Sequence, residues 1–188
     1  MKIKVIALAT FVSAVFAGST MAYDGTITFT GKVVAQTCNV TTGNDGNFTV
    51  TLPTVSNKAL ASPGETTGLT PFSINLTGCT STVDGAGHVK AFFEPGSSTD
   101  FVTNNLKNIA SDNAAGDVQI QLLNSDGTST IFLGKDFAGQ DVHSETIGGD
   151  GNATLRYMAQ YYATGTSTPG NVKTTVNYTT VSYTHLRA

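Results

Sequence analysis

The sequence predicts an all-β sandwich, and three observations carry that expectation. Short runs rich in Val, Ile, Thr, Phe and Tyr recur between clusters of Gly, Asn, Asp and Pro, the pattern of strands separated by tight turns. Helix signals are nearly absent. Charged residues make up only 12% of the chain, so Thr, Ser, Asn and Gly must supply much of the surface, which suits a secreted β protein better than a helical cytosolic one.

The first 22 residues stand apart from that fold. Lys2 and Lys4 precede an apolar run from Val5 to Phe16, and Thr20-Met21-Ala22 is a small-residue cleavage signal; together they read as a secretory signal peptide. The apolar run is shorter than the roughly 20 residues a membrane span needs. Cleavage after Ala22 is expected, with Ala17 the alternative. It leaves 166 of the 188 residues, which suits one domain, with 8 basic against 13 acidic residues and a net charge of −5. Such a surface does not suit nucleic acid, whose phosphates require basic partners.

The new N-terminus carries a regular alternation. Gly25, Ile27, Phe29, Gly31 and Val33 lie on one parity, with Asp24, Thr26, Thr28, Thr30 and Lys32 on the other, as expected of a strand with one apolar face. Further strands are expected at 47–52, 70–77, 89–94, 118–123, 130–133, 153–164 and 172–179, the first strand covering 26–35. Their separators are turn chemistry, including Gly43-Asn44-Asp45-Gly46, Asn124-Ser125-Asp126-Gly127 and Thr168-Pro169-Gly170. Residues 60–67 read as a loop, and 104–116 as holding at most one helical turn. Many short strands at this spacing imply a β-sandwich. Cys38 and Cys79 are the only cysteines; an even count in an exported chain reads as a disulfide, with two free buried thiols the alternative.

No catalytic constellation is present. His88, His143 and His185 are scattered, no nucleophile elbow or zinc or phosphate motif occurs, and the Asp-containing turns lack calcium-loop spacing. The five sequons at Asn39, Asn47, Asn75, Asn152 and Asn177 are what a Thr- and Asn-rich chain produces by chance. The expectation is therefore no enzyme, no metal, no cofactor and no small-molecule substrate.

Thr26-Ile27-Thr28-Phe29-Thr30-Gly31-Lys32-Val33-Val34 followed by Cys38, then Leu76-Thr77-Gly78-Cys79, then the block from Leu155 to Gly165, resemble in order and spacing the chaperone–usher fimbrial subunits of the type 1 major pilin kind. The resemblance implies an incomplete immunoglobulin-like β-sandwich lacking its last strand, with an N-terminal donor-strand extension. It implies a structural subunit of an extracellular bacterial fimbria that supports adhesion. Its partners would be other pilin subunits in a head-to-tail homopolymer, a periplasmic chaperone and an outer-membrane usher. Residues 23–34 would be the extension and 35–180 the pilin domain. Gly25, Ile27, Phe29, Gly31 and Val33 would be the donor residues, with Gly31 permitting close approach. Cys38 and Cys79 would form the structural disulfide. Val172, Val176 and Tyr178 would line the acceptor groove and meet the chaperone, with Tyr161 as a neighbour.

Rival readings are a minor or adaptor pilin, a self-contained secreted β-sandwich binding module, and a histidine-dependent enzyme of the same sandwich class; three scattered histidines argue against the last. The end of the chain departs from the family pattern. Val172, Thr174, Val176 and Tyr178 alternate, but Val181 and Tyr183 fall on the opposite parity. The family's penultimate tyrosine, counted from Gly170, would stand at position 182, which is Ser. VSYTHLRA resembles the read-through of a sequencing adapter, so 181–188 is expected to be a non-native tail; the alternative is a divergent end with a β-bulge near Thr179-Thr180.

Overall fold

The structure, a computed structural model, describes residues 38–79 and 87–183. The expected extension at 23–34 and the signal peptide lie outside the described residues. Eight strands are present: β1 (Asn39–Val40), β2 (Thr66–Thr77), β3 (His88–Glu94), β4 (Leu106–Lys107), β5 (Val118–Asn124), β6 (Glu145–Thr146), β7 (Ala153–Ala163) and β8 (Asn177–Tyr183). They form two antiparallel sheets, β1-β2-β7-β5-β4 and β6-β3-β8. A short 3-10 turn at Asn57–Leu60 is the one helical element among the described residues. Residues 104–116 contain β4 and no helical turn.

Period-2 alternation decides what each sheet buries. Ile74 and Leu76 of β2, Leu155, Tyr157 and Ala159 of β7, and Ile120 and Leu122 of β5 pack against Val89, Ala91 and Phe93 of β3, filling the layer between the sheets. At its centre the Phe93 and Tyr157 rings meet edge-on, with centroids 5.3 Å apart. The Ala91 N–H donates to Tyr157 Oη at 3.2 Å, which joins the sheets by a polar bond as well.

β3 has β6 beside it only at His88 and Val89. Further along, the fully buried Gln140 side chain replaces a strand: its Oε1 accepts from Phe93 N–H at 3.1 Å and its Nε2 donates to Phe93 O at 2.5 Å. The amide satisfies backbone groups that would otherwise be buried unpaired, at a cost of about 1–3 kcal/mol each. The expected strand at 130–133 forms a single bridge from Thr130 to Leu123; its alternation turns Ile131 and Leu133 into the side of the core and leaves Phe132 exposed.

Cys38 and Cys79 are bonded and buried, tying the start of β1 to the end of β2. Closing a loop of this length restricts the unfolded chain by roughly 4 kcal/mol on the chain-entropy account. β2 begins at Thr66, earlier than the sequence suggests, because a register shift between Thr67 and Thr70 carries the strand past Gly68. Gly68 has φ +73, and a Cβ there would stand 2.9 Å from the Tyr161 ring. Only glycine allows both the backbone and the ring to occupy that place.

Candidate functional site

Two extended segments of the sandwich have no strand beside them. The first is 47–52. Phe48, Val50 and Leu52 are half-buried and Asn47, Thr49 and Thr51 exposed, as expected of a strand. Among the described residues, however, no backbone hydrogen bond joins 48–52 to a neighbour. The segment is held at its ends instead. Asn44 and Asn47 exchange backbone bonds of 3.0 and 2.9 Å, and Tyr161 Oη donates to Pro53 O at 3.2 Å.

The second segment is 172–176, which leads into β8. Here the polar backbone alternates as well as the side chains. Lys173 O accepts from Ile109 N–H at 2.7 Å, Lys173 N–H donates to Asn108 Oδ1 at 3.0 Å, and Thr175 O accepts from Ser98 Oγ at 2.5 Å. Those groups face the 98–109 loop. In an extended chain the backbone groups of the intervening residues face the other way, so those of Val172, Thr174 and Val176 face the first segment, and no hydrogen bond is made to them among the described residues.

Between the two segments lies a groove of about 640 Å³. Its walls are 46–52 and 172–178, and its floor is the sandwich core itself: Phe72, Ile74, Phe93, Leu106, Ile120, Leu122 and Ala159. A second section of about 490 Å³ continues it past Tyr178, between Val40 and Gly46 on one side and 176–180 on the other. Burial pushes the Tyr161 and Tyr178 phenols upward from their usual value, which places both rings in a partly dehydrated wall. Such a site can do one thing well: two unpaired edges and an apolar floor accept a further strand whose alternate side chains point inward.

The residues expected from sequence divide cleanly. Val172, Val176 and Tyr178 come together on one wall, and Tyr161 stands at the floor's edge. Gly25, Ile27, Phe29, Gly31 and Val33 lie outside the described residues. The expected strand at 172–179 is corrected in extent: its ladder starts at Asn177 and runs to Tyr183. Sequence reasoning did not single out Phe48, Leu52 or the floor residues for this role. The alternation at 47–52 was the available signal, since it marks a face without a known partner. No group of His, Cys, Asp and Glu able to hold a metal occurs among the described residues.

Residues 52–184 match the family model for the type-1 fimbrial protein, A. The chain belongs to that family. This fimbrial subunit is 56% identical over 168 residues to the F17 fimbrial protein of Escherichia coli, covering 89% of this chain and 92% of that one. It is 48% identical over 162 residues to the major fimbrial subunit SMF-1 of Stenotrophomonas maltophilia, covering 85% and 93%. Among solved structures, a chaperone–usher pilus subunit from a study of rod uncoiling aligns with a TM-score of 0.57 at 18% identity, covering 84% of this chain and 94% of that one. The P pilus rod subunit PapA aligns with a TM-score of 0.53 at 16% identity, covering 78% and 99%. The fold of the fimbrial subunit is thus the immunoglobulin-like sandwich of pilus subunits, and its role is that of a structural component of an extracellular bacterial fimbria.

Proposed function

We propose that this subunit polymerises by donor-strand exchange, with residues 23–34 of one copy entering the groove of the next. The observation that carries the reading is the pair of unpaired edges at 48–52 and 172–176 over an exposed core floor. Ile27, Phe29 and Val33 enter the apolar floor, Gly31 passes where a side chain would not fit, and Gly25 takes the end. The opposite parity, mainly threonine, faces water. The contact is head-to-tail and does not close on itself, so it builds a filament. Before assembly the open groove is an aggregation hazard, which a periplasmic chaperone covers through Val172, Val176 and Tyr178 until the usher exchanges it for the next subunit.

Phe29→Asp tests the donor assignment. Burying Phe29 contributes roughly 1.5–3 kcal/mol, and a carboxylate there must be desolvated instead. Variant subunits are expected to form soluble one-to-one chaperone complexes yet give no SDS-resistant ladders; rods built from the variant would refute the assignment. Deleting 23–30 separates this reading from a self-contained sandwich. The donor reading expects a folded, chaperone-bound, non-polymerising subunit, whereas a self-contained sandwich would lose a strand of its own sheet and misfold.

A further inference from the structure

Tyr178 does more in the groove than line it. It stands on β8 in the three-stranded sheet, and its ring meets Phe48 edge-on across the groove, with centroids 6.2 Å apart. Its Oη donates to Gly46 O at 2.8 Å, spanning 132 positions of chain. Among the described residues no other hydrogen bond joins the two walls. Gly46 has φ +80, and a Cβ at that residue would lie 3.3 Å from the phenol oxygen, so the glycine keeps the carbonyl within reach.

This bond bounds the width of the groove. The walls share no backbone ladder among the described residues, so the Tyr178 bond ties them directly, whereas paired strands stand roughly 4.8 Å apart. The length of a tyrosine side chain plus the 2.8 Å bond cannot exceed about two such spacings, roughly 9.6 Å. Two spacings, the separation of strands that have one strand between them, is therefore the upper limit that the bond sets.

Building on the reading of the groove as a strand acceptor, we propose that Tyr178 is a positioning residue, a strut whose bond to Gly46 keeps the empty groove from opening beyond the width of one inserted strand. Without the bond the walls are free to splay, and an incoming strand must first restore the gap. Once a strand is seated, its ladders to both walls set the width and the hydroxyl adds little. The strut therefore acts on association and leaves dissociation alone.

Tyr178→Phe keeps the ring against Phe48 and deletes only the bond. The full mature chain, released from its chaperone just before mixing so that the groove is empty, would be combined with a fluorescent peptide of residues 23–34 and uptake followed by anisotropy. Uptake is expected to slow roughly five-fold, the effect of one hydrogen bond, while the peptide's dissociation rate and the melting temperature of the filled subunit stay at wild-type values. Gly46→Ala, which presses a methyl on the phenol from the other side, is expected to slow uptake as well. Unchanged uptake in Tyr178→Phe, or slower uptake with equal destabilisation of the filled subunit, overturns the strut. A wild-type subunit that takes up no peptide overturns the groove reading itself, a result distinct from either.

Discussion

β7 and the C-terminal run 172–183 are of similar length, and both alternate in their first half, yet their surroundings differ. β7 is paired with β2 along nearly all its length and with β5 from Tyr157 to Ala163, and Leu155, Tyr157 and Ala159 are sealed in the core. The C-terminal run pairs with β3 only from Asn177 onward. Its earlier half rests on a loop through two bonds at Lys173 and one at Thr175, and Val172, Val176 and Tyr178 are half-buried. The first strand is finished by its own chain. In the reading proposed above, the second is left for another chain to finish, and this difference is the basis of assembly.

The strongest way to break the contrast is to complete the second strand. A peptide of residues 23–34 seated in the groove buries Ile27, Phe29 and Val33, worth about 5–9 kcal/mol before the cost of ordering the peptide is subtracted. The filled subunit is expected to unfold at a much higher denaturant concentration than the chaperone-released one, with hydrogen-exchange protection newly appearing at 48–52, 172, 174 and 176. No new protection at those residues would mean that the edges are not the binding surface.

Next in size is damage to the finished strand. Leu155 is fully buried, and Leu155→Ala should cost roughly 2–5 kcal/mol. That loss is expected in the filled and the unfilled subunit alike, read from urea midpoints of both. Val176→Ala separates the two regions. With the groove empty its side chain is half exposed, and the change is expected to cost about 0.8 kcal/mol; with a donor seated the cost should be about twice that. Equal costs in the two states would place Val176 away from the inserted strand.

The contrast also explains which parts of the structure could be read from the chain. β3 and β7 were legible because alternation and burial coincide there, β5 because its apolar run lies between turn residues although both its faces are buried, and the cysteine pair was legible from its number and compartment. β1, β4 and β6 were not, since two-residue strands exist only through partners far away in sequence. Alternation at 47–52 and 172–176 correctly gave the face each segment turns inward. It is silent on whether a neighbour lies alongside, because the side-chain period records one axis of the sheet and the ladder lies along the other. The parity change at the end of the chain was legible too. β3 and β8 run without a register shift from Glu94↔Asn177 to His88↔Tyr183, so no bulge compensates it. Ser182 stands opposite the fully buried Val89, and Val181 stands opposite Lys90. The inward face of β8 therefore changes from Tyr178 to Thr180 and Ser182 as it leaves the groove wall.

The smallest expected effect concerns the loop that supports the unfinished strand. Asp100 fastens it: its Oδ1 accepts from the N–H groups of Val102 at 2.8 Å and Thr103 at 3.2 Å, and its Oδ2 accepts from Gln119 Nε2 at 2.8 Å. The Val102 N–H is the largest cause that holds this carboxyl below its ordinary pKa, with Thr103, Gln119 and the charge of Lys107 adding to it. A carboxyl depressed in the folded state contributes stability above its unfolded pKa, about 3.9. That contribution fades as pH falls toward the folded value, because the unfolded chain takes up the proton first. Solvent screening at a site this open keeps the effect small. Asp100→Asn should therefore lower the urea midpoint slightly at pH 7 and hardly at all near pH 2.5. Because the 98–109 loop bonds to Lys173 and Thr175 rather than to β7, the loss should appear as faster hydrogen exchange at Ile109, whose N–H reaches Lys173, with the centre of β7 unchanged. Equal acceleration at both places would show that the loop supports the whole sandwich instead of the one strand that waits for a partner.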